Sequence, residues 1–275
     1  MMKNRRITMK EPFLLGKNNN ILYIDHWRQK FNILAGFSTR NGGVSESPYN
    51  SFNFGFHVDD NPAYVLRNRE ILAKELNVPL NSWVLADQIH GNNVEVVDDS
   101  DCGKGSYKLN DAIRNTDGLI TNKSNILIAA LFADCVPLFF LAKKNLTFAI
   151  SHAGWKGTVG NIAAKTIQAF QNQSIPLEEI EVVIGPSICG QCYEVSEQVI
   201  KHVPDTYSSV YSRLDSSYFL NLKELNYAQL IEAGIQSSNI YVSKYCTAHD
   251  SQFFSHRRDD NKTGRMIGFI TSQNR

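Results

Sequence analysis

Three apolar runs, Ile126–Phe132, Leu138–Ala142 and Phe148–Ser151, follow one another with only short breaks between them. Each has the length of a strand and falls short of a helix. A chain that must place three such segments in succession is committed to a core built on sheet. The runs also fix the setting of two chemically capable residues. Cys135 lies between the first pair of strands, and His152 stands at the end of the third.

The remaining elements surround that core. Asn61-Pro62 predicts a helix start, with asparagine as cap and proline in the first turn, where its missing N–H costs nothing. Val65, Leu72 and Leu76 give this helix an apolar stripe. Trp83–Ala86 and Val94–Val97 read as short strands flanking the turn that carries His90. From about Gly157, the spacing of Val159, Ile162, Ala163, Thr166, Ile167 and Phe170 predicts one helix. Val182–Gly185 is a strand and Glu197–Val203 a helix. Leu222–Ala233 is a helix closed by Gly234, and strands at Ile240–Val242 and Met266–Ile270 finish the chain. The polar stretches Asp98–Asn110 and Pro204–Ser217 read as excursions, not linkers, and no repeat is visible. The expectation is one domain over residues 1–275, of α+β class, with packed mixed β-sheets flanked by helices.

Composition removes several classes of function. The net charge of +1 gives no electrostatic reason for a nucleic acid or an anionic membrane as partner. Lys3, Arg5 and Arg6 open the chain, but no apolar run follows that would make a signal peptide or span a bilayer. Five cysteines in 275 residues are too few and odd in number for a disulfide framework. A reducing cytoplasm is expected, with the chain acting as a monomer.

His90 in ADQIHG, Cys135 in FADCVP and His152 in ISHAGWKG carry the most chemistry. Two imidazoles and a thiolate suit zinc, and three protein ligands leave the fourth position open, as in catalytic sites. Gaps of 45 and 17 residues are too wide for a zinc finger, so only tertiary folding can unite them. Asp87 and Asp134 stand close enough in sequence to orient these ligands. Each residue has a plainer reading: His90 as a surface histidine in a turn, Cys135 as a core thiol, and the turn after His152 as a glycine-rich connection. That last turn leads into a helix, whose unpaired N–H groups favour an anion such as phosphate, with Lys156 adding charge.

Other residues offer weaker signals. Arg40, at a strand end before Gly42-Gly43, could clamp a phosphate or carboxylate. Asn53 could hydrogen-bond a sugar or base, and His57 could move a proton. All three also read as ordinary loop residues. His256, Arg257 and Arg258 form either a substrate wall or a charged surface loop. Cys189 and Cys192, a C-x-x-C pair, read first as ordinary buried thiols, with half of a second metal site or a redox pair as alternatives. No H-E-x-x-H, P-loop, G-x-S-x-G or zinc-deaminase signature occurs.

The segments FSTRNGG, ADQIHGNNV, TDGLITN, DCVPLFFLA, SHAGWKGTVGNI, IGPSICGQCYEV and FFSHRRDDNKTGRMIGFI occur in order and span most of the chain. Together they resemble the bacterial YfiH-type family, long described as multicopper polyphenol oxidases or laccase-like proteins. The resemblance implies a purine nucleoside phosphorylase acting on adenosine, inosine and methylthioadenosine, with adenosine deamination in some members. It implies that His90, Cys135 and His152 bind the metal, and it brings conserved segments onto Arg40 and His57. It implies a fold similar to the catalytic domain of a cytotoxic necrotizing factor, a cysteine–histidine deamidase. The chain departs from the family pattern at Cys189-Gly190-Gln191-Cys192 and at His249-Asp250, which gain no role from it.

Rival functions remain. A copper-dependent phenol oxidase would use the same two histidines and cysteine, but a multicopper enzyme needs a further histidine cluster, and the chain has seven histidines with no H-x-H. A metal-free amide hydrolase would use Cys135 as nucleophile and His152 as base, and the resemblance links some relatives to editing of cell-wall precursors. A nucleotide- or metal-binding regulator without turnover is the non-enzymatic reading.

Overall fold

A computed structural model describes residues 10–273. Lys3, Arg5 and Arg6 lie outside that span. Two six-stranded mixed sheets lie face to face. The first runs, in spatial order, through Phe13–Leu15, Ile21–Ile24, Ile33–Ser38, Met266–Ser272, Leu127–Phe132 and Trp83–Leu85. The second runs through Ile240–Val242, Ile180–Ile184, Val136–Ala142, Phe148–Ala153, Gly118–Thr121 and Val94–Val96. A small third sheet joins Glu194–Val195, Ser217–Leu220 and Tyr211–Leu214. The expected class, packed mixed sheets flanked by helices, is what the chain forms.

Burial explains the layering. Phe37, Ile128, Phe132, Phe139, Leu141 and Ile150 belong to the core between the two sheets. Leu72 and Leu76 of the helix Pro62–Leu76 pack with Leu127, Ile267 and Phe269 on the outer face of the first sheet. The helices Ile162–Gln171 and Leu222–Glu232 cover the outer face of the second with Ile167, Phe170, Leu225 and Leu230. The central strands are therefore buried on both faces, which is why they read as continuous apolar runs rather than alternating ones.

The three opening strands divide in an informative way. Phe148–Ala153 pairs with Val136–Ala142 as an antiparallel hairpin, with Pro137 opposite His152. Leu127–Phe132, only three residues before Val136, belongs to the other sheet. The segment Ala133-Asp134-Cys135 thus carries the chain from one sheet to the other. Asp134 makes the bend at φ 84°. The stretch Ala86–Asn93 makes a second crossing, from Trp83–Leu85 to Val94–Val96. Cys135 and His90 ride on these two crossings, so the topology brings both to one end of the sandwich.

Some expectations needed correction. The helix drawn from Gly157 is two, Trp155–Val159 and Ile162–Gln171, broken at Gly160 and Asn161. Asn161 adopts a left-handed conformation and caps the second helix by accepting from the Ala164 amide. Glu197–Ile200 is shorter than expected, and His152 lies within its strand instead of beyond it. No helix among the described residues is long and apolar enough to cross a membrane.

Candidate metal centre

The donor atoms of His90, Cys135 and His152 all lie within 4.8 Å of one another. The rings of His90 and His152 meet edge to face at 4.8 Å. Gly154 shows how closely the set is packed: a Cβ there would come within 2.8 Å of the His90 ring and 3.1 Å of the Cys135 sulfur. Only glycine leaves room for both.

One carboxylate organises the cluster, and it is neither Asp87 nor Asp134. Gly118 pairs with Ser151, which sets Asp117 opposite His152, and the His152 amide donates to the Asp117 carbonyl at 2.7 Å. Asp117 Oδ1 also meets His152 Nδ1 at 2.8 Å. With Nδ1 engaged, Nε2 is the nitrogen left for a metal, the arrangement that fixes tautomer and ring in metal-binding histidines. The same carboxylate accepts from the amides of Ile89, His90 and Gly91 at 3.2, 3.0 and 2.7 Å. It therefore shapes the left-handed turn at His90, φ 60°. Gln88 pins that turn from the other side, exchanging hydrogen bonds with the Leu131 backbone at 2.8 and 2.9 Å.

Asp87 lines the adjoining cavity, and no hydrogen bond joins its carboxylate to His90 among the described residues. Asp134 accepts from Thr247 Oγ1, Ser255 Oγ and the Arg257 amide at 2.6, 3.0 and 2.7 Å. It anchors the late segment that forms one wall of the site and does not orient an imidazole.

The electrostatics prepare a ligand set. Burial alone would raise the Cys135 thiol, but the charge and hydrogen bond of His152, together with His90, outweigh it and draw the thiol well below its usual value. Burial would lower His152, which is 4% exposed, but Cys135 and Asp117 outweigh that and raise it. Cys135 is thereby drawn toward thiolate and His152 toward imidazolium, with the Asp117 carboxylate behind the ring.

Two cavities flank the cluster. One, of about 330 Å³, is lined by His57, Gln88, His256 and Arg265 together with the three donor residues. The other, of about 270 Å³, shares His90, Cys135 and His256 and adds Trp155, Ile188, Tyr193 and Arg257. Burial, then the charges of Arg265 and Arg69, push His57 down to about 4. His256 is lowered by the same kinds of cause. Both shifts favour the neutral ring.

Other expected contacts fall elsewhere. Arg40 donates through Nε to the Asn50 carbonyl at 2.8 Å, and its guanidinium lies 4.6 Å from the Phe254 ring. It lines neither cavity. Asn53 is fully buried. Its amide nitrogen donates to Asp60, and its oxygen accepts from the Gly55 and Arg265 amides. That side chain is committed to structure and has nothing left for a substrate. Arg265 is the guanidinium that faces the first cavity, its Nη1 tied to the Thr263 and Gly264 carbonyls at 2.8 and 3.1 Å. Lys156 is exposed and rests over Trp155. Arg258 is occupied by Asp259 and by the carbonyls of Thr247 and Phe253, whereas His256 and Arg257 do form wall.

Fold and site together define a class. Residues 34–273 match the family described as multi-copper polyphenol oxidoreductase laccase, and the chain belongs to that family, which includes the YfiH proteins. Among its relatives, purine nucleoside phosphorylase YlmD of Bacillus subtilis is 42% identical, the match covering 94% of this chain and 96% of that one. The Geobacillus stearothermophilus protein of the same name is 40% identical, over 86% and 89% of the two chains. Bacillus licheniformis protein YfiH, of solved structure, superposes with a TM-score of 0.92 at 39% identity, covering 96% of this chain and all of that one.

Proposed function

We propose that the protein is a zinc-dependent purine nucleoside phosphorylase acting on adenosine, inosine and methylthioadenosine. The observation that carries this reading is the convergence of His90, Cys135 and His152 between two cavities. The names of its relatives support the reaction class. Two nitrogens and one thiolate fit zinc, and three protein donors leave one position for a reactant. A zinc ion held there would supply Lewis-acid polarisation of a reactant oxygen.

The residues of this chain supply the rest. We assign the purine to the cavity with Trp155 and Tyr193, where a flat heterocycle can stack on aromatic faces. We assign phosphate to the cavity with Arg265, a fork of donors suited to an oxyanion. His57, lowered to about 4 by burial and by Arg265 and Arg69, serves there as a neutral hydrogen-bonding group and not as a proton source. Two adjoining cavities hold nucleoside and phosphate side by side, so phosphate attacks the anomeric carbon as the purine departs. Such alignment is worth up to roughly 7–11 kcal/mol. Water in place of phosphate, attacking the purine ring, would give the companion deamination of adenosine.

The Asp117–His152–Cys135 chain also supports the amide hydrolase reading, since it is a thiolate activated by an oriented imidazole. Metal separates the two readings. Incubation with inosine and phosphate should release hypoxanthine and ribose 1-phosphate, with loss on chelation and recovery on adding zinc. Amide cleavage that survives chelation, without purine release, would replace phosphorolysis by the hydrolase.

A further inference from the structure

We propose that Cys189, Cys192, Cys246 and His249 form a second metal site of this chain, a closed structural site for zinc. Their donor atoms all lie within 4.8 Å of one another. Tetrahedral zinc with bonds of about 2.3 Å to sulfur and about 2.0–2.1 Å to nitrogen spaces its ligand atoms at roughly 3.5–3.8 Å. A small inward movement of side chains closes the set.

The local backbone is arranged to present these donors. The amides of Cys192 and Tyr193 both donate to the Cys189 carbonyl at 3.0 Å, which turns the C-x-x-C segment back on itself. Cys246 pairs with Ser187 in a parallel bridge, bringing the second segment alongside the first. The Cys246 amide donates to the Asp250 carboxylate at 3.1 Å and the Asp250 amide to the Cys246 carbonyl at 2.9 Å. That turn carries His249 over the thiols, so its Nε2 lies 3.0 Å from Cys192 Sγ. The Cys189 amide points at Cys246 Sγ from 3.3 Å.

A core of buried thiols, the expectation from sequence, does not describe this cluster. Only Cys246 is buried; Cys189 and Cys192 are half-buried and His249 is exposed. All five cysteines of the protein are free thiols. C-x-x-C followed by C-x-x-H supplies a Cys₃His set from two short segments, the pattern of structural zinc. Four protein ligands leave no open position, so the site is a brace and not a second catalytic centre. Binding converts three thiols to thiolates, their protons passing to solvent.

The brace has a place to act. It would tie the loop after Ile180–Ile184 to the segment 243–258. That segment sends Thr247, Ser255 and Arg257 to Asp134 and places His256 in both cavities. Metal at the brace would hold one wall of the candidate metal centre in position.

Zinc content of the full chain tests this independently of any activity. After loading with zinc and removal of the excess, two equivalents per chain are expected, one for each cluster. His249→Ala, at an exposed position, and Cys192→Ser should each lose one equivalent. Cys135→Ser should also keep one, and its cobalt-substituted form should show strong thiolate-to-cobalt charge transfer, which only the Cys₃His set can then supply. Absence of metal and of that absorption in Cys135→Ser would overturn the proposal. So would a Cys189–Cys192 disulfide in protein purified and loaded under reducing conditions.

Discussion

Asp117 meets His152 Nδ1 at 2.8 Å and, with the same two oxygens, accepts three successive amides from the turn that carries His90. One buried carboxylate therefore positions two of three candidate metal ligands that lie 62 residues apart in sequence. Asp117→Asn keeps the shape but presents an N–H where one of these donors now points. Zinc affinity should fall about 10- to 100-fold, the usual effect of losing such a partner. Competition with a chromogenic chelator measures it; an unchanged affinity would remove Asp117 from this role.

Gly154 should tolerate no side chain. Gly154→Ala puts a methyl group against His90 and Cys135. Loss of zinc from the His90, Cys135 and His152 cluster is expected, with little change in thermal unfolding, because the added carbon meets these side chains and not the core. Full zinc occupancy in this variant would show that the donors can part without losing the ion.

The thiol of Cys135 should betray its surroundings in metal-free protein. Its value is lowered from the ordinary thiol range, so the thiolate should persist at neutral pH, where a free cysteine of pKa about 8.5 is mostly protonated. Alkylation at Cys135, followed by peptide mass mapping, should stay fast as pH falls from 8.5 to 7. Asp117→Asn weakens the support for the His152 charge, and the rate profile should then move to higher pH.

Arg265 and Arg40 should separate cleanly in kinetics. Arg265→Ala should raise KM for phosphate about 10- to 100-fold, the loss of a charge-assisted hydrogen bond worth about 1.5–3 kcal/mol, with a smaller effect on nucleoside. Arg40→Ala should leave KM for phosphate nearly unchanged, since Arg40 is engaged with Asn50 and Phe254. The reverse pattern would return phosphate to Arg40.

Asn53→Ala is a test of structure. It strands the Gly55 and Arg265 amides and one Asp60 contact in a buried setting. A stability loss of about 1–3 kcal/mol is expected for each donor left unsatisfied, read as a lower Tm.

Much of this was legible in the sequence, for identifiable reasons. The central strands announced themselves because burial on both faces makes them uniformly apolar. Asn61 and Pro62 marked a helix start through local chemistry alone, and the Asn61 side chain does accept from Ala63. The metal candidates stood out because histidine, cysteine and histidine flanked strands and turns. Asp117 did not stand out: its partner is 35 residues away and becomes a neighbour only through the pairing of Gly118 with Ser151. Its one local sign was an acid before glycine at the head of a strand. Asp87 and Asp134 were nearer in sequence, but the crossings between sheets turn Asp134 toward Thr247, Ser255 and Arg257. Cys192 and His249 are 57 residues apart, so the C-x-x-C pair offered only half of a metal site and nothing local pointed to Cys246 and His249 as the other half.

The most direct measurement is the phosphate dependence of inosine cleavage by the zinc-loaded protein, followed with Cys135→Ser in parallel. Phosphorolysis at this centre predicts hypoxanthine and ribose 1-phosphate in equal amounts, none without phosphate, and loss of both in the variant. Hypoxanthine released without phosphate, or at an undiminished rate from Cys135→Ser, would contradict it.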